Sequence, residues 1–203
     1  MREQLKARAL SLGLYALLFA YLLYWLWVKF TLFNRLAYTS DILRFTQASL
    51  TWLQGLPLLY EYNRGSGSHL HNNFIVLLFA PLTRVCGAYG LMIGTWLAYL
   101  AAGAAWLRRS LRSQQPAVAM ILAAFVFGPV AFWLWDDPIY GWHPEVLYPP
   151  LALLMLLALA DASRWFWLWA ALLVLVRQDG ALVGLGVHCS YLLISGAAPR
   201  RVL

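Results

Sequence analysis

Charged side chains are scarce in this sequence. Only 11% of its 203 residues are Asp, Glu, Lys or Arg, whereas 63% are hydrophobic. A soluble domain cannot bury that much apolar surface, so the composition indicates an integral membrane protein. The apolar runs lack the alternation of a lipid-facing β-strand and are too long for one, which favours helical spans.

Familiar signatures of soluble enzymes are also missing from the sequence. It contains no Walker motif, no GxSxG, no HExxH and no CxxC. Cys86 and Cys189 both lie in apolar context, which predicts two buried thiols rather than a disulfide or a metal site. The net charge of +7 does not predict a nucleic-acid partner, because the basic residues flank apolar runs, where they set membrane topology.

The apolar runs predict an all-α, polytopic membrane protein that forms a single module over residues 1–203. Phe74–Leu82 is apolar but too short for a span of about 20 residues, so we expect it to be re-entrant; if it crossed, there would be seven spans. The fourth and fifth spans form a hairpin about Asp161. The six predicted spans cover residues 10–33, 88–107, 116–135, 146–160, 164–176 and 180–194.

The charge distribution favours the six-span topology. Arg2, Lys6 and Arg8 precede the first span, which predicts a cytoplasmic N-terminus. With six spans, nine of the 15 basic residues face the cytoplasm: Arg2, Lys6, Arg8, Arg108, Arg109, Arg112, Arg164, Arg200 and Arg201. Six of the eight acidic residues then lie outside: Asp41, Glu61, Asp136, Asp137, Glu145 and Asp179.

Two polar stretches are predicted to form outer loops, at residues 34–73 and 136–145. Within the first, Asp41–Gln54 reads as an amphipathic helix that lies on the membrane surface. Its apolar stripe consists of Ile42, Phe45, Leu50 and Leu53. In the six-span topology Asp41, the second loop and Arg177-Gln178-Asp179 meet on one face. Ionisable groups at span ends are candidates for function, because their placement near lipid is costly.

Asp41, His143 and Glu145 are the candidate catalytic residues. Asp41 can act as a general base or help to hold a divalent cation, magnesium or manganese; the alternative is a favourable charge in the first turn of a helix. His143 and Glu145, two residues apart in a Pro-rich turn, can contact phosphate, bind a metal or form an acid/base pair. Their alternative role is to begin the next helix.

Five further residues are candidates for substrate binding. Arg177 can pair with Asp179 or bind a lipid phosphate, although interfacial snorkelling and a turn at Gly180 explain the same pattern. Arg64, His69 and His71 can contact phosphate, or can be incidental residues of a long loop. His188, inside the last apolar run, is expected to be a hydrogen-bonded interior histidine.

The order of these motifs resembles the GT-C superfamily of membrane glycosyltransferases, and more narrowly an uncharacterised bacterial family of that type. The resemblance rests on Asp41-Ile42 with Phe45 and Gln47, a Gly55-Leu56-Pro57 turn, His71 before FIVLLFAPL, WHPEVLYPPLALLMLLAL and VRQDGALVGL, and it covers roughly residues 9–195. The chain has Arg177-Gln178-Asp179 where Lys-Glu-Asp is expected. It is also shorter than GT-C enzymes generally are, as a truncated, split or reduced module would be.

The resemblance implies transfer of a sugar from a polyprenyl-phosphate carrier on the outer side of the membrane, with inversion at the anomeric carbon. The first-loop acid, here Asp41, acts as base or metal-site residue. The His-Pro-Glu positions map to His143 and Glu145, and the basic-acidic pair to Arg177 and Asp179. The expected partners are this sugar lipid, membrane lipids and other membrane subunits.

Two alternative functions remain open. The chain can be a non-catalytic subunit of a larger membrane enzyme, or a protein that binds lipid phosphate. A transporter fits less well, because the charges cluster at span ends rather than at the membrane midplane.

Overall fold

The computed structural model describes residues 2–38, 41–61, 65–66, 73–112, 120, 128 and 141–195. The described residues are almost entirely helical, which confirms the predicted all-α class. Within these ranges seven α-helices follow one another: α1 Arg2–Asn34, α2 Asp41–Leu50, α3 Ala80–Cys86, α4 Tyr89–Arg112, α5 Tyr148–Ala160, α6 Trp165–Val176 and α7 Gly180–Ser195. Apart from residues 120 and 128, the predicted span at 116–135 lies outside the described residues, as does most of the second loop.

Shorter elements connect these helices. In the part of the chain that the structure describes, three 3₁₀-helices cover Thr51–Gln54, Phe74–Phe79 and Pro144–Leu147. The sole β-structure in the described ranges is one antiparallel pair, β1 Tyr60–Glu61 with β2 Gly65–Ser66, in which Tyr60 is opposite Ser66 and Glu61 opposite Gly65.

Helices α1 and α4 pack antiparallel along their length and define two ends of the molecule. At one end the hydroxyl of Tyr89 donates a hydrogen bond to Asn34 Oδ1, and the Tyr89 ring lies 4.7 Å from that of Phe30. Towards the other end the hydroxyl of Tyr15 lies 3.5 Å from the carbonyl oxygen of Ala104. We call these the Asn34 end and the Arg112 end.

Both α1 and α4 are long and apolar enough to cross a membrane, over Ala9–Asn34 and Tyr89–Arg112. Helices α5, α6 and α7 are apolar but shorter.

Helices α5 and α6 form the hairpin that the sequence predicts. Helix α5 begins at the Asn34 end and turns at the Arg112 end, where the Asp161 amide donates to the Leu157 carbonyl over 3.0 Å. Helix α6 returns to the Asn34 end, and α7 packs beside α5 and α6. A cluster of buried side chains joins the hairpin to α1 and α4: Leu18, Leu22, Tyr99, Ala102, Leu107, Leu153 and Leu157.

The apolar segment 74–86 stays at the Asn34 end. It packs against α2 and α4, and its Thr83 hydroxyl lies 2.7 Å from the Ser49 hydroxyl of α2. It therefore folds back beside α2 within the Asn34 end rather than running to the Arg112 end.

Two expectations about exposure are wrong. The predicted amphipathic helix does not turn its whole apolar stripe to the membrane surface: Ile42 and Phe45 of α2 are buried in the core of the protein, while Leu53, in the 3₁₀-helix that follows, is exposed. The reason is that the segment 74–79 and Trp142 pack against this face, so protein rather than lipid covers it. The cysteines are free thiols but not two buried ones, because Cys86 is half-buried and Cys189 lies on an exposed face of α7.

Candidate functional site

The candidate site at the Asn34 end begins with Asp41, the first residue of α2. A carboxylate in the first turn is stabilised by the helix dipole. Asp41 therefore also has the structural role of a favourable charge at the start of a helix. The buried residues Ile42 and Phe45 hold the helix on the core, and this fixes where its first turn lies.

The segment that carries His143 and Glu145 is held rigidly by a buried tryptophan. Trp142 Nε1 donates a hydrogen bond of 2.8 Å to Thr95 Oγ1 of α4, and its ring contacts Phe45 and Phe79. The buried Tyr99 hydroxyl donates over 3.0 Å to the carbonyl of Val146. Because both anchors belong to α4, the histidine and the glutamate are fixed relative to that long helix.

His143 stands between two carboxylates. Its Nε2 lies 3.4 Å from Asp41 Oδ2, and its Nδ1 lies 3.6 Å from Glu145 Oε2. The imidazole also packs edge-on against Phe45, with ring centroids 5.7 Å apart. The structure thus brings together the three residues that the sequence nominates as catalytic, from loops about a hundred positions apart.

Arg177 extends this chain of contacts to the turn between α6 and α7. Its Nη1 donates a hydrogen bond of 2.6 Å to Glu145 Oε1, and its Nε lies 3.8 Å from Asp179 Oδ1. The Tyr148 hydroxyl donates to the same Asp179 oxygen. The contacts therefore run in order from Asp41 through His143, Glu145 and Arg177 to Asp179. We call this set of five residues the charge network.

Gly180 makes the turn of Arg177 and Asp179 possible. A Cβ at Gly180 would lie 1.8 Å from the carbonyl oxygen of Leu173, so only glycine allows this approach of α7 to α6. The Gly180 amide donates to the Arg177 carbonyl over 2.9 Å, and the amide of Leu182 donates over the same distance to the Asp179 carbonyl. The turn that the sequence predicts at Gly180 is thus also the support of the network.

The network sets the charge of Glu145. Burial alone would raise the pKa of this carboxyl, but contacts with His143, its own backbone amide and Arg177 outweigh burial and lower the pKa to about 2. The hydrogen bond to Glu145 in turn raises the pKa of Arg177. Glu145 is therefore a carboxylate at neutral pH and a very weak base, which suits it to hold His143 and Arg177 rather than to accept a proton.

Asp41 and His143 form the part of the network that is suited to proton transfer. Both side chains are partly exposed, and the distance of 3.4 Å between them allows a proton to pass with a small shift. The network holds three carboxylates and one guanidinium, so it carries a net charge of two negative with His143 neutral and of one negative with His143 protonated. Such a field favours a cationic group or a positively charged transition state.

A divalent cation shared by Asp41 and Glu145 does not fit this arrangement. The imidazole of His143 occupies the line between the two carboxylates. Within the described ranges, no group of three or more His, Cys, Asp or Glu is disposed to hold a metal ion.

Several predicted residues are not part of the described site. Arg64, His69 and His71 lie outside the described residues, as do Asp136 and Asp137. His188 is half-buried beside Phe166, with ring centroids 5.7 Å apart. Its Nδ1 has no hydrogen-bond partner among the described residues, so the expected hydrogen bond at that atom is not found there.

Lys29 and Tyr148 lie close to the site, but neither of them is predicted from the sequence as a site residue. Lys29 reads as an interfacial cation, yet it is buried: its Nζ lies 3.5 Å from the Gly141 carbonyl and 4.9 Å from the centre of the Tyr38 ring. Tyr148 follows Glu145 by three residues, a spacing that puts both on one face of a helix. That spacing is the signal that could have found Tyr148.

Comparison with known proteins finds no match to this chain: no protein-family model, no curated protein and no solved structure is significantly similar. The function must therefore be argued from the site.

Proposed function

We propose that this chain is a membrane-embedded glycosyltransferase that transfers a hexosyl or pentosyl group from a polyprenyl-phosphate-linked donor, with inversion at the anomeric carbon. The observation that supports it is the contact of Asp41 with His143, which Glu145 and Arg177 hold in turn. The likeness of the motif order to GT-C enzymes supplies the reaction class. We assign the roles of the residues from their contacts.

The membrane part of the proposal rests on helix length, exposure and direction. Helix α1 leaves large apolar side chains such as Leu12, Leu17 and Trp27 exposed, which an aqueous surface does not favour. Helices α5 and α6 run between the same two ends as α1 and α4. We therefore propose a multi-pass protein of the bacterial inner membrane.

The orientation follows from the charges at the two ends. Arg108, Arg109, Arg112 and Arg164 belong to the Arg112 end, where α1 also begins, so this end is cytoplasmic by the positive-inside rule. The charge network then lies at the outer face. A lipid-linked donor would reach it from the surrounding bilayer.

The proposed step is a single displacement at the anomeric carbon. The acceptor oxygen forms the new bond to that carbon, while the bond from the carbon to the phosphate oxygen breaks and its electron pair leaves with the polyprenyl phosphate. Asp41 accepts the proton of the acceptor hydroxyl, and His143 can take that proton onward across the contact of 3.4 Å. Glu145, held anionic, orients the imidazole.

The net negative charge of the network suits the sugar in this step. The anomeric carbon becomes positively charged in the transition state of glycosyl transfer, and nearby carboxylates stabilise that charge. The same charge disfavours the phosphate of the donor. Among the described network residues Arg177 is the cation for the phosphate, and Arg64, His69 and His71 are the further candidates.

A second candidate function is a non-catalytic membrane subunit. The observation that favours it is that Arg177 is engaged by two carboxylates, Glu145 and Asp179, as in a network that only ties loops together. A lipid-phosphate binder at this site is less favoured, because the net charge of the network is negative.

The test is turnover of a lipid-linked sugar by the purified protein in phospholipid vesicles. Release of polyprenyl phosphate from polyprenyl-phosphate hexose and pentose donors would be measured for the wild type, Asp41→Asn and Asp161→Asn. We expect Asp41→Asn to lose at least about 100-fold in rate, because a general base contributes that much or more. Asp161→Asn, at the opposite end, should retain the wild-type rate.

Two results would contradict the proposal. Undiminished turnover in Asp41→Asn would remove this residue from the chemistry. A folded wild type that turns over no donor, while Asp41→Asn lowers the midpoint of thermal unfolding, would favour the non-catalytic subunit.

A further inference from the structure

A second polar feature lies at the Arg112 end, opposite the charge network. A cleft of about 610 Å³ opens between the last turns of α4 and the turn that joins α5 to α6. It is lined by Ala105, Arg108, Arg109, Arg112, Leu157 and Asp161. The charge network and the resemblance to glycosyltransferases leave this cleft unexplained.

The lining of the cleft is positively charged. Among the described residues that line it, three guanidinium groups face one carboxylate, which gives these side chains a net charge of two positive. Arg109 donates a hydrogen bond to Asp161 and is thereby held in place. Across the described ranges no carboxylate contacts Arg108 or Arg112, both of which are exposed. Two exposed guanidinium groups therefore border the cleft beside Arg109, and planar guanidinium groups match the oxygens of phosphate.

The depth of the cleft fits the headgroup layer of a bilayer. At a rise of about 1.5 Å per residue, Tyr89 to Leu107 spans about 28 Å, close to the hydrocarbon thickness of about 30 Å. The arginines that follow Leu107 then lie level with lipid phosphates. Ala105 and Leu157 provide an apolar floor beside them, as the glycerol and first acyl carbons of a lipid require.

Topology alone explains arginines at this end but not their arrangement around a cleft. Basic residues at a cytoplasmic helix end, and near the C-terminus of a helix, are favourable wherever they point. Here, however, Asp161 fixes one arginine, and the other two border a cavity that is large enough for a headgroup. Basic pockets of this kind between helices bind anionic headgroups.

We propose that this cleft binds the phosphate of an anionic phospholipid, through Arg108 and Arg112, with Arg109 held in place by Asp161. The inference rests on the membrane orientation in the proposed function but not on glycosyl transfer. It adds a lipid site at the face opposite the proposed chemistry.

The experiment measures lipid binding to the whole protein. The purified chain in detergent would be titrated with phosphatidylglycerol, phosphatidylcholine or inorganic phosphate, and bound molecules counted by native mass spectrometry. We expect the wild type to bind phosphatidylglycerol at least tenfold more tightly than phosphatidylcholine. Arg108→Ala/Arg112→Ala should lose at least tenfold in affinity, and Arg108→Lys/Arg112→Lys, which keeps the charge, should lose less.

The controls separate this site from its alternatives. Arg164→Ala removes an arginine of the same end that does not line the cleft, and should bind phosphatidylglycerol as the wild type does. Asp41→Asn should also bind it normally, whatever its turnover, so failure of the enzymatic proposal is distinguishable. Equal binding by the double alanine variant and the wild type would overturn the inference. Tighter binding of inorganic phosphate than of phosphatidylglycerol would overturn the lipid as its source.

Discussion

The two ends of the molecule each carry an arginine paired with a carboxylate, and the two pairs differ in their surroundings. At the Asn34 end Arg177 pairs with Glu145, with side chains 30% and 22% exposed. At the Arg112 end Arg109 pairs with Asp161, with side chains 41% and 62% exposed. The first pair belongs to a network of five charged or titratable residues. The second is a surface pair at the edge of a cleft.

The comparison shows that an arginine–carboxylate pair can fix the charge state of the carboxyl group when it is partly buried. When the pair is exposed, it only positions the arginine at a helix end. Glu145 is partly withdrawn from water, so each of its neighbours has a large effect, and its pKa falls to about 2. Water and salt screen the Arg109–Asp161 pair, which leaves its guanidinium neighbours as the feature of interest. One end is therefore built for a fixed negative charge, the other for an accessible positive one.

The largest expected effect comes from Gly180, which supports the turn that carries Arg177 of the Arg177–Glu145 pair. Gly180→Ala places a Cβ against the Leu173 carbonyl and forces α6 and α7 apart, so we expect a loss of about 3 kcal/mol in the free energy of unfolding. Gly186→Ala, on the same helix with no atom near its added Cβ, is the matched control and should lose nothing. Thermal unfolding in detergent measures both. Equal stability of the two variants would contradict the close packing.

The next effect compares the stability that the Arg177–Glu145 pair and the Arg109–Asp161 pair each contribute. Arg177→Ala leaves Glu145 without its cation, and should cost about 2–3 kcal/mol, because a largely buried charge loses its partner. Arg109→Ala should cost less than about 1 kcal/mol, because its partner Asp161 is exposed. The same unfolding assay compares them at low and high salt, with salt expected to weaken mainly the Arg109 pair. A larger loss in Arg109→Ala would reverse the comparison.

The smallest effect is the pH dependence that Glu145, in its pair with Arg177, gives to the free energy of unfolding. The pKa of Glu145 is lowered from an ordinary value of 4.5 to about 2 on folding, so its contribution to stability is present above the ordinary value and is lost as pH falls towards 2. Between pH 5 and pH 3 this loss is about 2 kcal/mol. The measurement is stability against pH for the wild type and Glu145→Gln, whose curve should lack this share of the slope. Asp161→Asn serves as control and should keep it; parallel curves for the wild type and Glu145→Gln would contradict the lowered pKa.

Much of the candidate site could be predicted from residue types and helix direction. Asp41, His143, Glu145, Arg177 and Asp179 were each recognisable as polar residues at the ends of apolar runs. The charge bias favoured a topology that puts them on one face, and the structure brings all five together at the Asn34 end. That any of them carries out catalysis, and that the chain is a GT-C glycosyltransferase, stays a prediction.

Other features could not be read from the sequence, because they depend on which surfaces meet. The stripe of α2 looks the same whether lipid or protein covers it, and only the packing of 74–79 and Trp142 decides that protein does. Lys29 is buried because Gly141, which is distant in sequence, and Tyr38 both lie against its ammonium group. The cleft at the Arg112 end depends in the same way on the approach of Asp161 to α4.

The sequence by itself determined that the chain is helical and apolar, where its hairpin turns, and which end of each helix carries acidic or basic residues. These properties are local: they follow from composition, from periodicity and from the order of residues along each run. Only the tertiary structure decided that His143 stands between Asp41 and Glu145, that Glu145 stays anionic, and that three arginines border a cleft. Pairing, pKa and cavity shape depend on distances of a few ångströms between residues that the chain separates by many turns, and those distances exist only after the helices have packed.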